Sequence, residues 1–251
     1  MRTLRRSQSI DIIKALRSRK SIRGYKPDPV PKRILKEILE VASRSPSAKN
    51  AQPWEMTVVA GEVLEQIKRG NLEMLASVAI PNPDVPYKDF HGVYKGRQVA
   101  LAIQLFELMG IDRKDRDKRA EWNQRELRFF DAPAAIILTV DTSLDESATQ
   151  FDLGIITHAI RLAALNYGLA TCINGQAIIY PEVVRRFTGI PESKRITMSI
   201  AIGYPNWDFP ANKLESKREP VESITSWYGF DRAALGICQG KLQTQHFIVL
   251  F

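Results

Sequence analysis

Residues 17–23 combine four cationic side chains with two hydroxyls, in the order Arg-Ser-Arg-Lys-Ser-Ile-Arg. Arginine side chains bind phosphate through two parallel hydrogen bonds, and serine hydroxyls add neutral donors, so this composition suits a phosphate-binding cradle. A cationic helix end, whose charges complement the helix dipole and the last carbonyl groups, explains the same residues equally well. The segment alone leaves both interpretations open; below, residues 19–23 are called the clamp.

A second stretch, residues 46–54, reads Pro-Ser-Ala-Lys-Asn-Ala-Gln-Pro-Trp and is called the amide loop. Its small side chains let backbone N–H groups approach a flat ligand, and its amide side chains can read hydrogen-bond edges. On loop chemistry alone, a polar turn is the better interpretation. The clamp and the amide loop together indicate a site for a phosphorylated planar cofactor.

Extended by Gly24 and Tyr25, the clamp reads Arg-Lys-Ser-Ile-Arg-Gly-Tyr, and with the amide loop it resembles the nitroreductase family of FMN-dependent oxidoreductases. Residues 168–175 and 216–220 match further family motifs, so the resemblance covers about residues 10–228. It implies the nitroreductase α+β fold, with a central, mostly antiparallel sheet wrapped by helices. It also implies an intertwined homodimer with two FMN sites at the interface.

The resemblance assigns cofactor contacts to the clamp. Arg19 and Ser21 would hold the FMN phosphate, and Lys20 would hold the phosphate or the ribityl chain. Arg23 would stabilise negative charge at the N1/C2=O edge of the reduced flavin.

Three further segments complete the implied site: a turn that faces flavin N5 with its backbone, the amide loop of the other subunit, and a second phosphate motif. Their residues are Cys172, Ile173, Asn174 and Gly175 in the turn, Pro46, Ser47, Ala48 and Asn50 in the loop, and Lys217 and Arg218 in the phosphate motif. Asn174 stands where family members often have glutamate or glutamine, which leaves the backbone role intact. Cys172 has no histidine partner in a known motif and is interpreted as structural.

The implied chemistry is ping-pong hydride transfer from NAD(P)H through flavin N5 to a nitroaromatic compound or a quinone. The cofactor carries this chemistry, so no catalytic side chain is expected. Enone reduction, reductive dehalogenation and flavin destruction on the same fold remain alternatives. A basic protein that binds nucleic acid is a third hypothesis.

The 251 residues include 36 lysines and arginines against 28 acidic residues, which gives a net charge of +8. No RRM, zinc-finger or helix-turn-helix signature accompanies this charge, and the histidines show no metal-ligand spacing. No signal peptide or membrane-spanning stretch is evident, and Cys172 and Cys238 form no C-x-x-C pair. We expect a cytoplasmic protein without a metal, nucleic-acid or membrane partner. Residues 1–230 would form the nitroreductase domain, and residues 231–251 a tail of unknown role.

Hydrophobic periodicity predicts the elements that position these residues. Helices are expected over residues 10–16 (capped by Ser9), 31–43, 62–78, 97–109, 151–167 and 181–187, and strands over 54–60, 134–140 and 196–204. The stretch 81–96 is either a lid or a surface excursion. Asn71 is a candidate ligand of the ribityl chain, and Phe129 and Phe130 either border the substrate pocket or, as we favour, pack in the core.

Overall fold

The computed structural model of this chain describes residues 11–230. Residues 11–215 lie in one compact unit, and residues 216–230 belong to a second unit that begins at Ser216. The expected Ser9 cap and the expected tail over 231–251 lie outside the described residues. The expected domain boundary at residue 230 stays a prediction.

The described residues alternate helices with strands. The helices are α1 (Ile12–Ser18), α2 (Lys32–Ala42), α3 (Gly61–Ala76), α4 (Gly92–Met109), α5 (Arg116–Leu127), α6 (Glu146–Leu165), α7 (Pro181–Thr188) and α8 (Val221–Ile224). The strands are β1 (Glu55–Ala60), β2 (Ala134–Asp141), β3 (Ala170–Asn174) and β4 (Lys194–Gly203). No helix within residues 11–230 has both the length and the apolar character that a membrane crossing requires.

The four strands form one antiparallel sheet in the order β1-β2-β4-β3. Side chains alternate between the two faces of a strand, so β2 serves two separate cores. Ile137 packs with side chains of α3, α5 and α7, whereas Ile136 and Leu138 pack with side chains of α2 and α6. The predicted central antiparallel sheet wrapped by helices is therefore confirmed.

Two helices begin earlier than their apolar periodicity predicts. α6 begins at Glu146 rather than residue 151, because Asp145 caps it by accepting the Ala148 N–H at 2.9 Å. Because its first turn is polar and exposed, the spacing of apolar residues gives no sign that the helix begins there. α4 begins at Gly92 rather than residue 97, and most of its residues are exposed, so no buried stripe marks its first turn.

The loop expected over residues 81–96 is shortened to 81–91 by the early start of α4. Its first half is tied to the unit because the Asp84 carboxylate pairs with Arg185 at 2.8 Å and accepts the Ile196 N–H at 2.7 Å. The second half is exposed, and the rings of Tyr87 and Phe90 meet edge to face at 5.6 Å. The anchored half has the character of a surface excursion rather than a lid.

Candidate functional site

The clamp lies along the outer edge of the sheet. β3 is an edge strand, and Ser21 forms a parallel bridge with Thr171 while the Ile22 N–H donates to the Thr171 carbonyl at 3.1 Å. Ile22 is buried in the core. In extended backbone, the neighbours Ser21 and Arg23 therefore point to the opposite, accessible side. The clamp and the turn after β3, which lie about 150 residues apart in sequence, are thus brought together.

Asn212 fixes the far end of the clamp. Its Oδ1 accepts the Arg23 N–H at 2.7 Å, and its Nδ2 donates to the carbonyls of Gly24 at 2.8 Å and Asn206 at 2.7 Å. A Cβ on Gly24 would lie 2.3 Å from the ring of Phe209, so the close approach requires glycine. Asn212 is buried and holds the backbone that presents Arg23, a role that no sequence motif indicated.

Arg23 lies beside aromatic and acidic side chains. Its guanidinium sits 5.9 Å from the centre of the Phe130 ring, and its Nη1 donates to the Ser21 carbonyl at 3.4 Å. The Glu126 carboxyl accepts the Trp122 indole N–H at 3.0 Å. Burial raises the pKa of Glu126, whereas the bond from Trp122 and the nearby charge of Arg23 lower it. Within residues 11–230, no carboxylate forms an ion pair with Arg23, so its charge remains available to a ligand.

A strained turn supports this arrangement. Phe129, Phe130 and Asp131 have φ values of 56°, 55° and 57°, a left-handed conformation that costs about 1–2 kcal/mol per residue for side chains of this kind. Arg125 joins the turn to the clamp: its Nε donates to the Arg23 carbonyl at 3.3 Å and its Nη1 pairs with Asp131 at 2.7 Å. Arg128 also pairs with Asp131 at 2.7 Å.

Asp131→Ala is expected to destabilise the protein by about 1–3 kcal/mol, because two arginines lose the acceptor that holds a strained turn in place. Urea denaturation of both proteins measures this difference. Asp89→Ala, which removes an exposed carboxylate from the loop 81–91, is the matched control and should leave stability unchanged. Equal midpoints for the two variants would contradict a stabilising role for Asp131.

Arg161 is a site residue that sequence reasoning missed. It lies on the buried side of α6, where its Nη2 donates to Ser21 Oγ at 3.1 Å and its Nε donates to Thr171 Oγ1 at 3.3 Å. Burial and, secondarily, the positive charge of Arg19 lower the pKa of Arg161 to about 10. An arginine at a buried helical position next to Ile160 was the signal that could have identified it.

The other cations predicted to bind phosphate are placed differently. Lys20 Nζ pairs with Glu215 at 3.0 Å, so its ammonium already has a carboxylate partner. Lys217 and Arg218 belong to the second unit, where Arg218 Nη1 donates to Ser216 Oγ at 2.7 Å and to the Lys217 carbonyl at 2.9 Å. Their contact with the phosphate stays a prediction.

The amide loop is exposed and attached to α6. The Ala48 N–H donates to both carboxylate oxygens of Asp152 at 3.2–3.3 Å, and Ser47 Oγ accepts the Gln52 N–H at 2.9 Å. Lys49, Asn50 and Gln52 have φ values of 51°, 57° and 47°. Strained backbone of this kind concentrates at ligand-binding loops. Asp152 and Arg161 are nine residues apart, about 13.5 Å along the helix axis, so α6 carries both the amide loop and the support of the clamp.

The predicted turn 172–175 consists of the last three residues of β3 and Gly175, and the structure gives its side chains definite partners. Cys172 is buried, and burial raises the pKa of its thiol, which agrees with a structural role. The Asn174 amide donates to the Glu126 carbonyl at 2.7 Å and accepts the Ala177 N–H at 3.2 Å. Ile173 and Gly175 remain accessible, and a Cβ on Gly175 would meet open space. A flat ligand therefore finds room against the backbone of this turn.

Three candidates from the sequence are core residues. Asn71 is fully buried and donates to the carbonyls of Leu127 at 3.0 Å and Ala177 at 2.9 Å, so its prediction as a ribityl ligand is wrong. Phe129 and Phe130 are buried, which confirms core packing for both. Within residues 11–230, no group of three or more histidine, cysteine or acidic residues could hold a metal ion.

Comparisons with known proteins agree over most of the chain. The model of the Nitroreductase family matches residues 16–204. Nitroreductase NfnB of Mycolicibacterium smegmatis is 27% identical over 229 residues, which cover 89% of this chain and 97% of that protein. The nitrobenzene nitroreductase of Ectopseudomonas oleovorans is 31% identical over 216 residues, which cover 84% and 94%.

Solved structures have the same fold. The FMN and NADPH-dependent nitroreductase NfnB from Sphigopyxis sp. strain HMH matches with a TM-score of 0.84 at 26% identity, over 88% of this chain and 100% of that chain. NfnB from Mycobacterium smegmatis, an FMN-dependent nitroreductase in complex with NADPH, matches with a TM-score of 0.81 at 27% identity, over 87% and 100%. Because the family match spans more than half of its length, this protein belongs to the nitroreductase family.

Proposed function

We propose that this protein is an FMN-dependent oxidoreductase that uses NAD(P)H to reduce nitroaromatic compounds, and quinones as a further substrate class. The observation that carries the proposal is the pairing of the clamp with β3, where Ser21 bridges Thr171 and the Ile22 N–H donates to the Thr171 carbonyl, directly before the accessible residues 173 and 175. Its relatives support the substrate class, since they include a nitrobenzene nitroreductase, a chloronitrobenzene nitroreductase and 4-nitrobenzoate reductases.

The donor set fits FMN. A phosphate dianion only accepts hydrogen bonds, and the clamp offers guanidinium and hydroxyl donors. The accessible backbone of residues 173–175 suits a flat ring system, for the Ile173 side chain and Gly175 face outward. Arg23 supplies a cation that no carboxylate within residues 11–230 neutralises by an ion pair.

Each segment then has a distinct role. When bound, FMN supplies the hydride chemistry, in a ping-pong cycle with NAD(P)H and the oxidised substrate. Arg19 and Ser21 hold the phosphate, and the assignment of Lys217 and Arg218 to it stays a prediction. Arg23 stabilises the negative charge that reduction places on the N1 edge of the ring. Lys20 reaches the phosphate or the ribityl chain in competition with its ion pair to Glu215.

We further propose that the protein is a homodimer in which Pro46, Ser47, Ala48 and Asn50 of one subunit complete the site of the other. Exposed apolar side chains support a covered surface: on α1, α4 and α6, Ile12 is 65% exposed, Tyr94 61% and Phe151 72%. Apolar surfaces of this extent usually mark an interface. The strained backbone of the amide loop is consistent with a role that requires a partner.

A substrate panel tests the proposed function. The purified protein is expected to be yellow and, without oxygen, to oxidise NADPH or NADH with nitrobenzene or 4-nitrobenzoate. Its kcat/KM for these nitroarenes should exceed those for halophenols and enones. Faster turnover of a halophenol or an enone would replace the proposal by reductive dehalogenation or enone reduction. A colourless protein that binds no FMN but retains nucleic acid would support the basic binding protein instead.

A further inference from the structure

We propose that Arg161 is an additional positioning residue of this site: it holds the Ser21 hydroxyl as a donor toward the FMN phosphate and adds a buried positive charge beside it. The inference rests on the proposed function and extends it, because it makes the protein select phosphorylated flavin over uncharged riboflavin.

Arg161 lies inside the unit with only 8% of its surface exposed, yet two of its nitrogens converge on the clamp and its supporting strand. Nη2 donates to Ser21 Oγ at 3.1 Å, and Nε donates to Thr171 Oγ1 at 3.3 Å. Arg161 therefore joins α6 to the bridge between Ser21 and Thr171, where the clamp meets the sheet.

The Ser21 hydroxyl has one proton to donate and two lone pairs to accept with. Because Ser21 Oγ accepts from Arg161, its proton points away from that guanidinium, either to the neighbouring Cys172 thiol or to a ligand. An anionic phosphate oxygen is a stronger acceptor than a thiol and would take this proton. A phosphate oxygen requires a donor of this kind, and Ser21 is half-buried rather than enclosed. The arginine thus prepares a neutral hydroxyl for an anionic ligand.

A buried cation normally pairs with a carboxylate, since an uncompensated buried charge is strongly unfavourable. Arg161 forms no ion pair with any carboxylate among residues 11–230. The charged groups that act on it are Arg19 and Arg23 from the clamp, whereas His158 of its own helix has a lowered pKa and is neutral at ordinary pH.

Tyr25 and Cys172 also face Arg161, and burial raises the pKa of both, so both are neutral at ordinary pH. Neither group therefore offsets the positive charge of Arg161. A dianion at Ser21 would balance it, whereas riboflavin carries no charge to do so.

Two variants of Arg161 test the inference. Arg161→Met keeps most of the side-chain volume and removes the charge, and Arg161→Lys keeps the charge without the planar fork. Flavin fluorescence during reconstitution of the apoprotein measures the Kd of FMN and of riboflavin. We expect Arg161→Met to weaken FMN roughly ten- to a hundred-fold and to leave riboflavin unchanged, with Arg161→Lys between wild type and Arg161→Met for FMN. Arg186→Met, an exposed arginine of α7, is the control for lost charge and should match the wild type.

Thermal stability separates this role from a purely structural one. Removal of an uncompensated buried charge should leave the Tm of the apoprotein unchanged or raise it, and should shrink the Tm increase that FMN causes. If Arg161 served only as a structural cross-link, Arg161→Met would lower the Tm of the apoprotein and weaken the binding of FMN and of riboflavin equally. That second pattern would overturn the inference.

An NMR titration of His158 in the wild type decides the question even if Arg161→Met does not fold. Burial first, and then the charges of Arg161 and Arg19, lower the pKa of His158. FMN phosphate bound beside these arginines should raise that pKa, and riboflavin should not. A His158 pKa that is the same with both flavins would refute the proposed phosphate position.

The outcomes also distinguish this inference from the function on which it rests. A wild-type protein that binds neither FMN nor riboflavin would refute both. A wild type that binds FMN, with an Arg161→Met variant of equal affinity, would refute only the role of Arg161.

Discussion

Reversing the charges of Arg19 and Arg23 together is expected to leave the purified protein almost free of FMN. Each charged contact with the cofactor contributes about 1.5–3 kcal/mol. Losing both therefore amounts to about 3–6 kcal/mol, or roughly a hundred- to ten-thousand-fold in Kd. Repulsion between the new carboxylates and the phosphate adds to this loss.

The measurement is the flavin absorbance that remains with Arg19→Glu/Arg23→Glu after ultrafiltration, relative to protein. Arg186→Glu with Lys32→Glu changes the net charge equally at two exposed positions of other helices and should retain FMN like the wild type. Circular dichroism of both double variants verifies that they fold. Retention of FMN by a folded Arg19→Glu/Arg23→Glu variant would refute the assignment of the clamp.

Mixed dimers of two inactive variants are expected to recover activity. One variant carries Arg19→Glu and Arg23→Glu in the clamp, and the other carries Ser47→Arg and Asn50→Arg in the amide loop. If each site takes its clamp from one subunit and its loop from the other, every site of either homodimer contains a defect. A heterodimer then has one site with both defects and one site with none, as the symmetry of a two-fold dimer requires.

Refolding the two variants together, followed by separation of heterodimers through different affinity tags, provides the sample. The expected activity is about half that of the wild type per dimer, against almost none for either parent. Isolated heterodimers no more active than the parents would contradict the shared site. So would a fully active wild type with FMN whose mass in solution equals the single chain of 28.4 kDa.

Hydrophobic periodicity was sufficient for the centre of the fold because burial there is uniform. β2 is buried along almost its whole length, and β4 alternates between the two cores, so both strands were predicted within two residues of their bounds. The starts of α4 and α6 were missed because their first turns do not face a core. An N-cap such as Asp145 is a local signal for such a start, but it carries less weight in a sequence than a run of apolar residues.

For the candidate site as well, the sequence predicted some features and not others. Composition predicted a cofactor site from the clamp and the amide loop together, and the family resemblance added residues 172–175, since each is a continuous segment of the sequence. Neither could assign partners to individual side chains. Lys20 pairs with Glu215, 195 residues away, and Asn71 bonds carbonyls 56 and 106 residues away, so neither has the environment that its neighbours in sequence suggest.

The sequence by itself therefore determined the family resemblance and the segments predicted to hold the cofactor, because each depends on residues close together along the chain. Only the tertiary structure decided which cations are neutralised and which are not. Ser21 and Arg161 are 140 residues apart, and their contact exists because the clamp pairs with β3 while α6 packs against the same strand. A buried charge without a carboxylate depends on everything packed around it, and packing between distant segments is a property of the folded chain rather than of any one stretch of it.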